Sequence, residues 1–198
     1  MPSAISPRPR YTPNYMLRPF RRRDLAAVDD AVRVSLPDLA LYLPWAVDYN
    51  RNTTASFLRD SAASWAEARA FDFTIRNAES PDLHLGNISV WWVSRPNLVG
   101  EVGYWVRSDS TSRGICTEAA ANIVQIGFEE LGMHRITLRT AVGNLASERV
   151  ATKLGFTNEG VLRDEVKVGS EWLDHTVWGL LEHEWSANKA RYTSEEWV

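Results

Sequence analysis

The chain has 198 residues, of which 44% are hydrophobic and 24% are charged, and its formal net charge is −3. This length suits one well-buried domain, and the charge provides no general basic surface for nucleic acid. The single cysteine excludes an intramolecular disulfide framework and favours a reducing cytoplasm. No apolar run approaches the roughly 18 residues that a membrane span requires, and residues 1–15 lack the apolar core of a secretory signal.

The N-terminal part of the chain predicts a tail, a strand and a helix. Residues 1–14 are expected to form a flexible tail, and the alternation of Tyr15–Arg18 predicts a short strand. Asp24 is a suitable N-cap for a helix whose apolar pattern breaks near Pro37. The three cations of Arg21–Arg23 either attract an anion or form a solvated junction between strand and helix, and the junction is the favoured interpretation.

The next segment predicts a loop, a helix and two strands. A proline makes Leu39–Tyr49 loop-like, and a second helix begins at Asn52 or Thr53. Phe71–Arg76 and His84–Ser94 have strand patterns and are separated by turn residues.

The C-terminal half predicts a central strand, two helices and three further strands. In chain order these are Val102–Val106, a long helix over Thr117–Leu131, a strand over His134–Thr140, a shorter helix opened by Asn144, and a hairpin of Phe156–Val168 and Glu171–Leu181. The order β-α-α-β-β-β-α-β-α-β-β predicts one mixed α/β domain.

The stretch from Glu101 to Leu131 has the order of an anion-binding device. A strand leads into a polar loop, and the loop leads into a helix whose first N–H groups have no internal partner. Gly114 allows a ligand close to the backbone, Thr117 is a candidate cap, and Glu118 lies in the first turn, where negative charge is favoured. A plain connection between strand and helix is the alternative.

The spacing of this loop matches neither the Walker A motif nor the dinucleotide-binding glycine motif. Several separated blocks instead resemble the GNAT superfamily of acyl-CoA-dependent N-acetyltransferases, and within it the RimJ/RimL-type branch. The blocks are Gly103-Tyr104-Trp105, Arg113-Gly114, Thr117-Glu118-Ala119, Leu131-Gly132-Met133-His134-Arg135, Asn144 with Ser147, and Lys153-Leu154-Gly155-Phe156. Two residues depart from the pattern: Ser112 stands where glycine is common, and Cys116 where alanine or glycine is usual.

The resemblance implies a fold and a domain organisation. It implies a single GNAT domain over residues 15–186, followed by a C-terminal extension over residues 187–198. The expected fold is mixed α/β, with a mostly antiparallel sheet of about seven strands that is splayed at strands 4 and 5 and flanked by about four helices. The branch often dimerises, so a homodimer is expected.

The resemblance also implies acetyl-CoA as cosubstrate, with no metal. The backbone of Trp105 and Val106 is then expected to hold the pantetheine arm, and Asn144 to contact it. The pyrophosphate is expected on the loop and the first turn of the long helix, at Arg113, Gly114, Ile115, Cys116 and Thr117. For Arg113, an exposed loop cation is the alternative.

Two residues are candidates for acid–base work. A free α-amine has a pKa near ~7.8, so deprotonating it at pH 7 costs about 1 kcal/mol, against roughly 4.6 kcal/mol for lysine. An α-amine therefore needs only weak help, and the resemblance suggests Glu101 as base, with a solvent-facing strand residue as the alternative. It suggests Ser147 as the proton donor to the departing thiolate, with an ordinary helix-start hydroxyl as the alternative. For the lone Cys116, a small structural residue is favoured over a nucleophile.

The acceptor amine is less constrained than the cosubstrate. Nine tryptophans are an unusual number, and the predicted walls of the acceptor pocket are Tyr42, Trp45, Trp91 and Trp172. A protein N-terminal α-amine is the first expectation, and a small-molecule amine such as an antibiotic, a polyamine or an amino-acid conjugate is the second. A non-catalytic acyl-CoA-binding module is the alternative from another class. No membrane or nucleic-acid partner is expected.

Overall fold

The computed structural model describes residues 5–198, whose strands form one mixed sheet in the order β1-β2-β3-β4-β5-β6-β8-β7. The strands are β1 (Arg10–Tyr11), β2 (Tyr15–Pro19), β3 (Ala70–Asn77), β4 (His84–Ser94), β5 (Val99–Val106), β6 (Arg135–Ala141), β7 (Thr157–Val168) and β8 (Glu171–Leu181). Every neighbouring pair is antiparallel except β5 and β6, which are parallel.

Six α-helices accompany this sheet within residues 5–198. They are α1 (Leu25–Leu39), α2 (Pro44–Val47), α3 (Arg51–Ala66), α4 (Ile115–Gln125), α5 (Leu145–Lys153) and α6 (Glu182–Ser194), and α4 continues as one π-helical turn over Ile126–Glu130. The predicted fold class is confirmed. The additional elements are the two-residue β1, the short α2 and the C-terminal α6. In that part of the chain, no helix is long and apolar enough to cross a lipid bilayer.

The two faces of the sheet carry different side chains. Ile88, Val90 and Val102 belong to the main apolar core together with Ala119 and Ile123 of α4. The opposite face carries a second set, because Asn87, Ser89 and Trp91 of β4 pair with Trp105, Gly103 and Glu101 of β5 and side chains alternate along a strand. Residues of α1 and α3 line a cavity on that second face.

The start of α1 differs from its prediction. Asp24 occupies the N-cap position, but its side chain caps no helix N–H. It accepts two hydrogen bonds from Arg18, both at 2.8 Å, and a third from Arg76 at 3.1 Å. The helix also continues through Pro37 to Leu39, because Val32 and Leu39 remain buried on its apolar face and offset the lost backbone hydrogen bond.

Both chain ends are tied more closely to the domain than the sequence predicts. Arg10 and Tyr11 pair with β2, the Arg10 guanidinium forms two 2.7 Å hydrogen bonds with Glu130, and Ile5 is buried. Part of the predicted tail over residues 1–14 therefore contacts the domain in this structure, and residues 1–4 lie outside the described residues. At the other end, the predicted boundary at residue 187 falls inside α6, which anchors itself through the buried Tyr192.

Candidate active site

The parallel pair β5–β6 separates halfway along its length. Its pairing runs only from Val99 opposite Arg135 to Val102 opposite Leu138. Beyond that point β5 continues to Val106 paired with β4 alone, and β6 continues to Ala141 paired with β8 alone. The predicted splay at strands 4 and 5 is this gap between β5 and β6.

The register shows which backbone groups of β5 face the gap. The Leu98 carbonyl accepts from His134 N–H at 2.8 Å on the β6 side, whereas Arg107 N–H donates to Leu85 on the β4 side at 2.8 Å. Since backbone direction alternates along a strand, Tyr104 and Val106 direct their N–H and C=O groups into the gap. Trp105, whose backbone is predicted to hold the pantetheine arm, instead directs its N–H and C=O groups toward β4.

The start of α4 leaves backbone donors without acceptors. Gly114 is the N-cap and has a left-handed φ of 77°. The first intrahelical hydrogen bond runs from Glu118 N–H to the Gly114 carbonyl, at 3.0 Å. Within residues 5–198, the amides of Ile115, Cys116 and Thr117 have no hydrogen-bond acceptor. Three free amides at the positive end of a helix form a site for an anion. Thr117, a candidate cap by sequence, lies inside the helix instead.

The loop before α4 contains Ser112, which stands where the family pattern commonly has glycine. Ser112 has a φ of 63°, a left-handed conformation that costs a side-chain-bearing residue about 1–2 kcal/mol. Glycine adopts this conformation without penalty. The side chain of Arg113 is exposed and its nearest polar contact is the Asp109 carbonyl at 3.5 Å, so it does not line the cleft beside the loop.

The free amides open onto a cleft of about 570 Å³, hereafter called the CoA cleft after the ligand that the family resemblance predicts for it. Its walls come from the loop and the first turn of α4, the end of β5, the α1–α2 connection and one face of α5. Arg149 and Lys153 of α5 contribute exposed cations to it. Neither residue is among the sequence predictions. Their spacing of four residues places both on one face of the helix that carries Ser147, which could have indicated a shared site.

Residues of the N-terminal segment form hydrogen bonds with the start of α4, on the side away from the cleft. The carboxylate of Glu118 is buried and accepts from Asn14 N–H at 2.8 Å, from the Asn14 side-chain amide at 2.9 Å, and from the Thr12 hydroxyl. The Tyr15 hydroxyl donates to the Arg113 carbonyl at 3.1 Å. Glu118 thus fixes α4 to the start of the chain, and its charge is satisfied away from the cleft.

Ser147 lies beside a tyrosine that the sequence analysis overlooked. The Ser147 and Tyr104 hydroxyl oxygens are 3.0 Å apart, and burial raises the pKa of the Tyr104 phenol well above its ordinary value. Asn144 caps α5 by accepting from Ser147 N–H at 3.2 Å. The side chains of Asn144 and Ser147 both face the CoA cleft. Two coupled hydroxyls therefore lie where β5 leaves β6.

Cys116 has the environment of a structural residue. Burial raises the pKa of its thiol to about 12, so the reactive thiolate is scarce near neutral pH. Its backbone amide, by contrast, is one of the three free donors of α4. This geometry supports the structural interpretation over the nucleophile.

Glu101 belongs to a charged group on the second face of the sheet. Its Oε2 lies 3.2 Å from Arg139 Nε and accepts from the Thr137 hydroxyl at 3.3 Å. Arg139 also pairs with Glu165, whose Oε2 is 3.8 Å from His175 Nδ1. Burial raises the pKa of the Glu101 carboxyl above its usual value, against the lowering effect of Arg139. Glu101 is two residues from Gly103, which lines a separate cavity on this face of the sheet.

A second cavity adjoins the CoA cleft and holds about 540 Å³, and it is hereafter called the acceptor pocket after the role predicted for Trp45 and Trp91 in its wall. Leu43, Tyr104 and Trp105 line both cavities. The remaining lining residues are Val28, Val32, Trp45, Tyr49, Thr53, Thr54, Ser56, Phe57, Asp60, Asn87, Ser89, Trp91 and Gly103.

The predicted pocket walls are only partly brought together. Trp45 and Trp91 line the acceptor pocket, whereas Tyr42 lines the CoA cleft. Trp172 lies on β8, 54% exposed, and lines neither cavity. The ring of Trp65 packs against Phe71 with centroids 5.0 Å apart, in the core. Residue type alone could not separate these tryptophans.

Comparison with known proteins agrees with this geometry. The family described as the acetyltransferase (GNAT) domain matches residues 14–157. The "Putative ribosomal N-acetyltransferase YdaF" of Bacillus subtilis (strain 168) is 35% identical over 104 residues, which is 52% of this chain and 57% of that protein. The chain thus spans just over half the length of such curated relatives. The "Uncharacterized N-acetyltransferase YnaD" of the same organism is 27% identical over 175 residues, 88% of this chain and 98% of that protein.

Among solved structures, the Mycobacterium smegmatis RimJ in complex with CoA-disulfide superposes with a TM-score of 0.82 at 25% identity. The superposition covers 92% of this chain and 90% of that one. The resemblance to the RimJ/RimL-type branch is thereby confirmed. With the matched domain spanning most of the sheet, the splayed strands and the helix start that carries free amides, this chain belongs to the GNAT family of acetyltransferases.

Proposed function

We propose that the chain is an acetyl-CoA-dependent N-acetyltransferase that moves an acetyl group to a primary amine by direct attack on the thioester. One observation carries the proposal: two adjoining cavities meet at Leu43, Tyr104 and Trp105, where β5 parts from β6. One cavity offers anion-binding amides and the other an aromatic pocket. A carrier thioester and an amine that enter from opposite sides would meet there.

The residues of the CoA cleft fit the parts of coenzyme A. The amides of Ile115, Cys116 and Thr117 suit the pyrophosphate, and Arg149 and Lys153 add positive charge nearby. The unpaired backbone of Tyr104 and Val106 suits the amide groups of the pantetheine arm. When bound, acetyl-CoA supplies the activated acyl group as a thioester.

The reaction then needs one base and one acid. The amine nitrogen forms a bond to the carbonyl carbon, the carbon–sulfur bond breaks, and the sulfur leaves with the electron pair. Glu101 takes the proton of the amine through a water, since it lies two residues, about 7 Å, along β5 from Gly103 in the pocket. Ser147 gives a proton to the departing thiolate, while the Tyr104 hydroxyl 3.0 Å away holds it in position by a hydrogen bond. Solvent water in the open cleft then returns a proton to Ser147 and takes one from Glu101, which restores the starting state.

The names of two relatives support a protein N-terminus as acceptor, because YdaF is described as a ribosomal N-acetyltransferase and the superposed structure is a RimJ. The energetic argument agrees, since an α-amine needs only the weak, water-mediated base that Glu101 offers. The second candidate is a small-molecule amine, which the walled shape of the acceptor pocket favours.

Incubation with acetyl-CoA and a panel of amines, read by mass spectrometry and by thiol release, tests the proposal. The panel contains short peptides with free N-termini, polyamines and aminoglycosides. We expect amine-dependent thiol release and a gain of one acetyl group at the amine. Tight CoA binding by calorimetry with no release for any amine identifies a non-catalytic acyl-CoA-binding module instead.

A further inference from the structure

Six of the sixteen residues that line the acceptor pocket are aromatic. Trp45 lies between two other aromatic residues, with its centroid 6.2 Å from that of Trp105 and 6.3 Å from that of Tyr49. Phe57 and Trp91 complete the aromatic wall. The volume of about 540 Å³ lies within the roughly 300–1,000 Å³ of pockets that bury small-molecule ligands. A methyl-sized group would leave most of this space to water, whose share of liquid volume is about 30 Å³ per molecule.

The charges around the pocket exclude one class of group. Asp60 is the one residue of the lining with a formal charge at neutral pH, and it is exposed at the rim. The lining contains no lysine, arginine or histidine. A carboxylate or phosphate that entered would lose part of its hydration and gain no cationic partner, which is unfavourable. An uncharged group has no such cost.

The floor of the pocket is formed by Gly103 and by the Trp91 ring that covers it. Gly103 contributes no side chain, and the Trp91 ring lies over it so closely that an added Cβ would be 3.0 Å from that ring. Beside it the side chain of Asn87 lies on the same face and is buried. The floor is therefore a flat apolar ring surface, with one amide at its edge.

From these observations we infer that the acceptor carries a large, apolar group of aromatic size, without negative charge, directly beside its amine, and that this group fills the acceptor pocket. The amine itself then lies at the junction marked by Tyr104 and Trp105, next to the thioester. Acceptors whose neighbouring group is as small as that of alanine or serine are disfavoured. The inference rests on the proposed function and specifies its substrate class.

A series of amino-acid amides tests the inference, because all members present the same α-amine. We expect kcat/KM for phenylalaninamide and tryptophanamide to exceed that for glycinamide by about 30-fold, the gain from burying one large apolar side chain. Alaninamide and serinamide are expected near glycinamide. The amide of glutamic acid should be about 10-fold poorer than glutaminamide, since only the former brings a negative charge.

A pair of variants locates the effect in the pocket. Ser56 is a half-buried residue of α3 in the lining, so Ser56→Trp should fill the space and lower the ratio of phenylalaninamide to glycinamide kcat/KM by about 10-fold. Ala63→Trp adds the same ring to the exposed face of α3 and should keep the wild-type ratio. Circular dichroism and CoA calorimetry establish that both variants are folded.

Failure of this inference is distinguishable from failure of the proposed function. Thiol release that is as fast with serinamide as with phenylalaninamide overturns the substrate class and leaves the acetyltransferase proposal intact. Should no amine release thiol, calorimetry of phenylalaninamide and alaninamide with the CoA-bound protein decides: equal affinities overturn the inference. An unchanged selectivity ratio in Ser56→Trp also overturns it, because the group would then bind elsewhere.

Discussion

At the scale of single residues, the site combines side chains whose roles follow from what surrounds them. In the proposed mechanism, Ser147 is distinguished from other helix-start serines by its neighbour, the buried Tyr104 hydroxyl. The proposed base, Glu101, has a carboxyl whose pKa is raised by burial and whose orientation is held by Arg139. Each of these two residues therefore supports a test.

We predict that Ser147→Ala lowers kcat by about 100-fold, as expected for loss of a positioned proton donor. Affinity for CoA should stay close to wild type, because the pyrophosphate-binding amides of α4 are untouched. Stopped-flow thiol release and calorimetry measure the two quantities. Ser170→Ala, in the exposed turn between β7 and β8, is the matched control and should behave as wild type. An unchanged kcat in Ser147→Ala would remove this residue from the mechanism.

Glu101→Gln tests the base through the pH dependence of kcat/KM. The carboxylate accepts a proton only above its pKa, which burial raises, so the wild-type rate should rise with pH through that raised pKa. The variant should lose this rise and be roughly 10-fold slower at pH 7, since an α-amine costs only about 1 kcal/mol to deprotonate there. The same ascending limb in both proteins would assign the titration to another group.

At the scale of elements, the decisive feature is the loop between β5 and α4. Gly114 takes its left-handed φ of 77° at no cost, whereas Ser112 takes 63° with a side chain. The chain tolerates this strain because the loop is fixed at both ends, by the β4–β5 pairing and by the Glu118 contacts with Asn14.

We predict that Ser112→Gly stabilises the protein by about 1 kcal/mol, because it relieves the left-handed strain. Thermal unfolding followed by circular dichroism should show a higher Tm. Thr111→Gly is the matched control: its φ is an ordinary −67°, so glycine there should lower the Tm through added freedom of the unfolded chain. A lower Tm in Ser112→Gly as well would mean that the serine side chain makes a contact worth more than the strain.

At the scale of the whole molecule, a buried charge cluster joins β2, the start of α1 and β3. Burial alone would raise the pKa of the Asp24 carboxyl, but hydrogen bonds from Arg18 and Arg21 and the charge of Arg76 hold the pKa below its usual value. A lowered folded-state pKa stabilises the fold above the unfolded value of 3.8, and that stability is lost as pH falls through the folded-state value.

Asp24→Asn should therefore destabilise the protein by about 3–5 kcal/mol at pH 7, because two buried arginines lose their shared anion. Urea unfolding at pH 7 and at pH 3 measures this, and the gap between wild type and variant should narrow at the lower pH. Asp30→Asn removes an exposed partner of Arg107 and should cost less than about 1 kcal/mol. Equal losses in the two variants would refute the role of burial.

The homodimer and the cytoplasmic location are predictions that also belong to this scale. Neither follows from the geometry of a single chain.

Local sequence determined much of this protein. The polar loop with Gly114 before an apolar helix predicts free amides and an anion site, since an unpaired helix start follows from chain order alone. The alternation of elements predicts a mixed sheet, and the β5–β6 separation was expected from the family likeness. Of these features, the anion site and the order of elements depend on residues that are neighbours in the chain.

Tertiary structure decided the rest, because it depends on which distant residues become neighbours. Strand register directs the backbone of Tyr104 and Val106, not that of Trp105, into the gap. Packing of α5 brings Ser147 to a hydroxyl 43 residues away in the chain, and it makes Arg149 and Lys153 the cleft cations in place of Arg113. The number of tryptophans predicts that some of them line a pocket. Only the fold determines which ones do, because each tryptophan offers the same apolar surface whether it lies in the core or in a cavity wall.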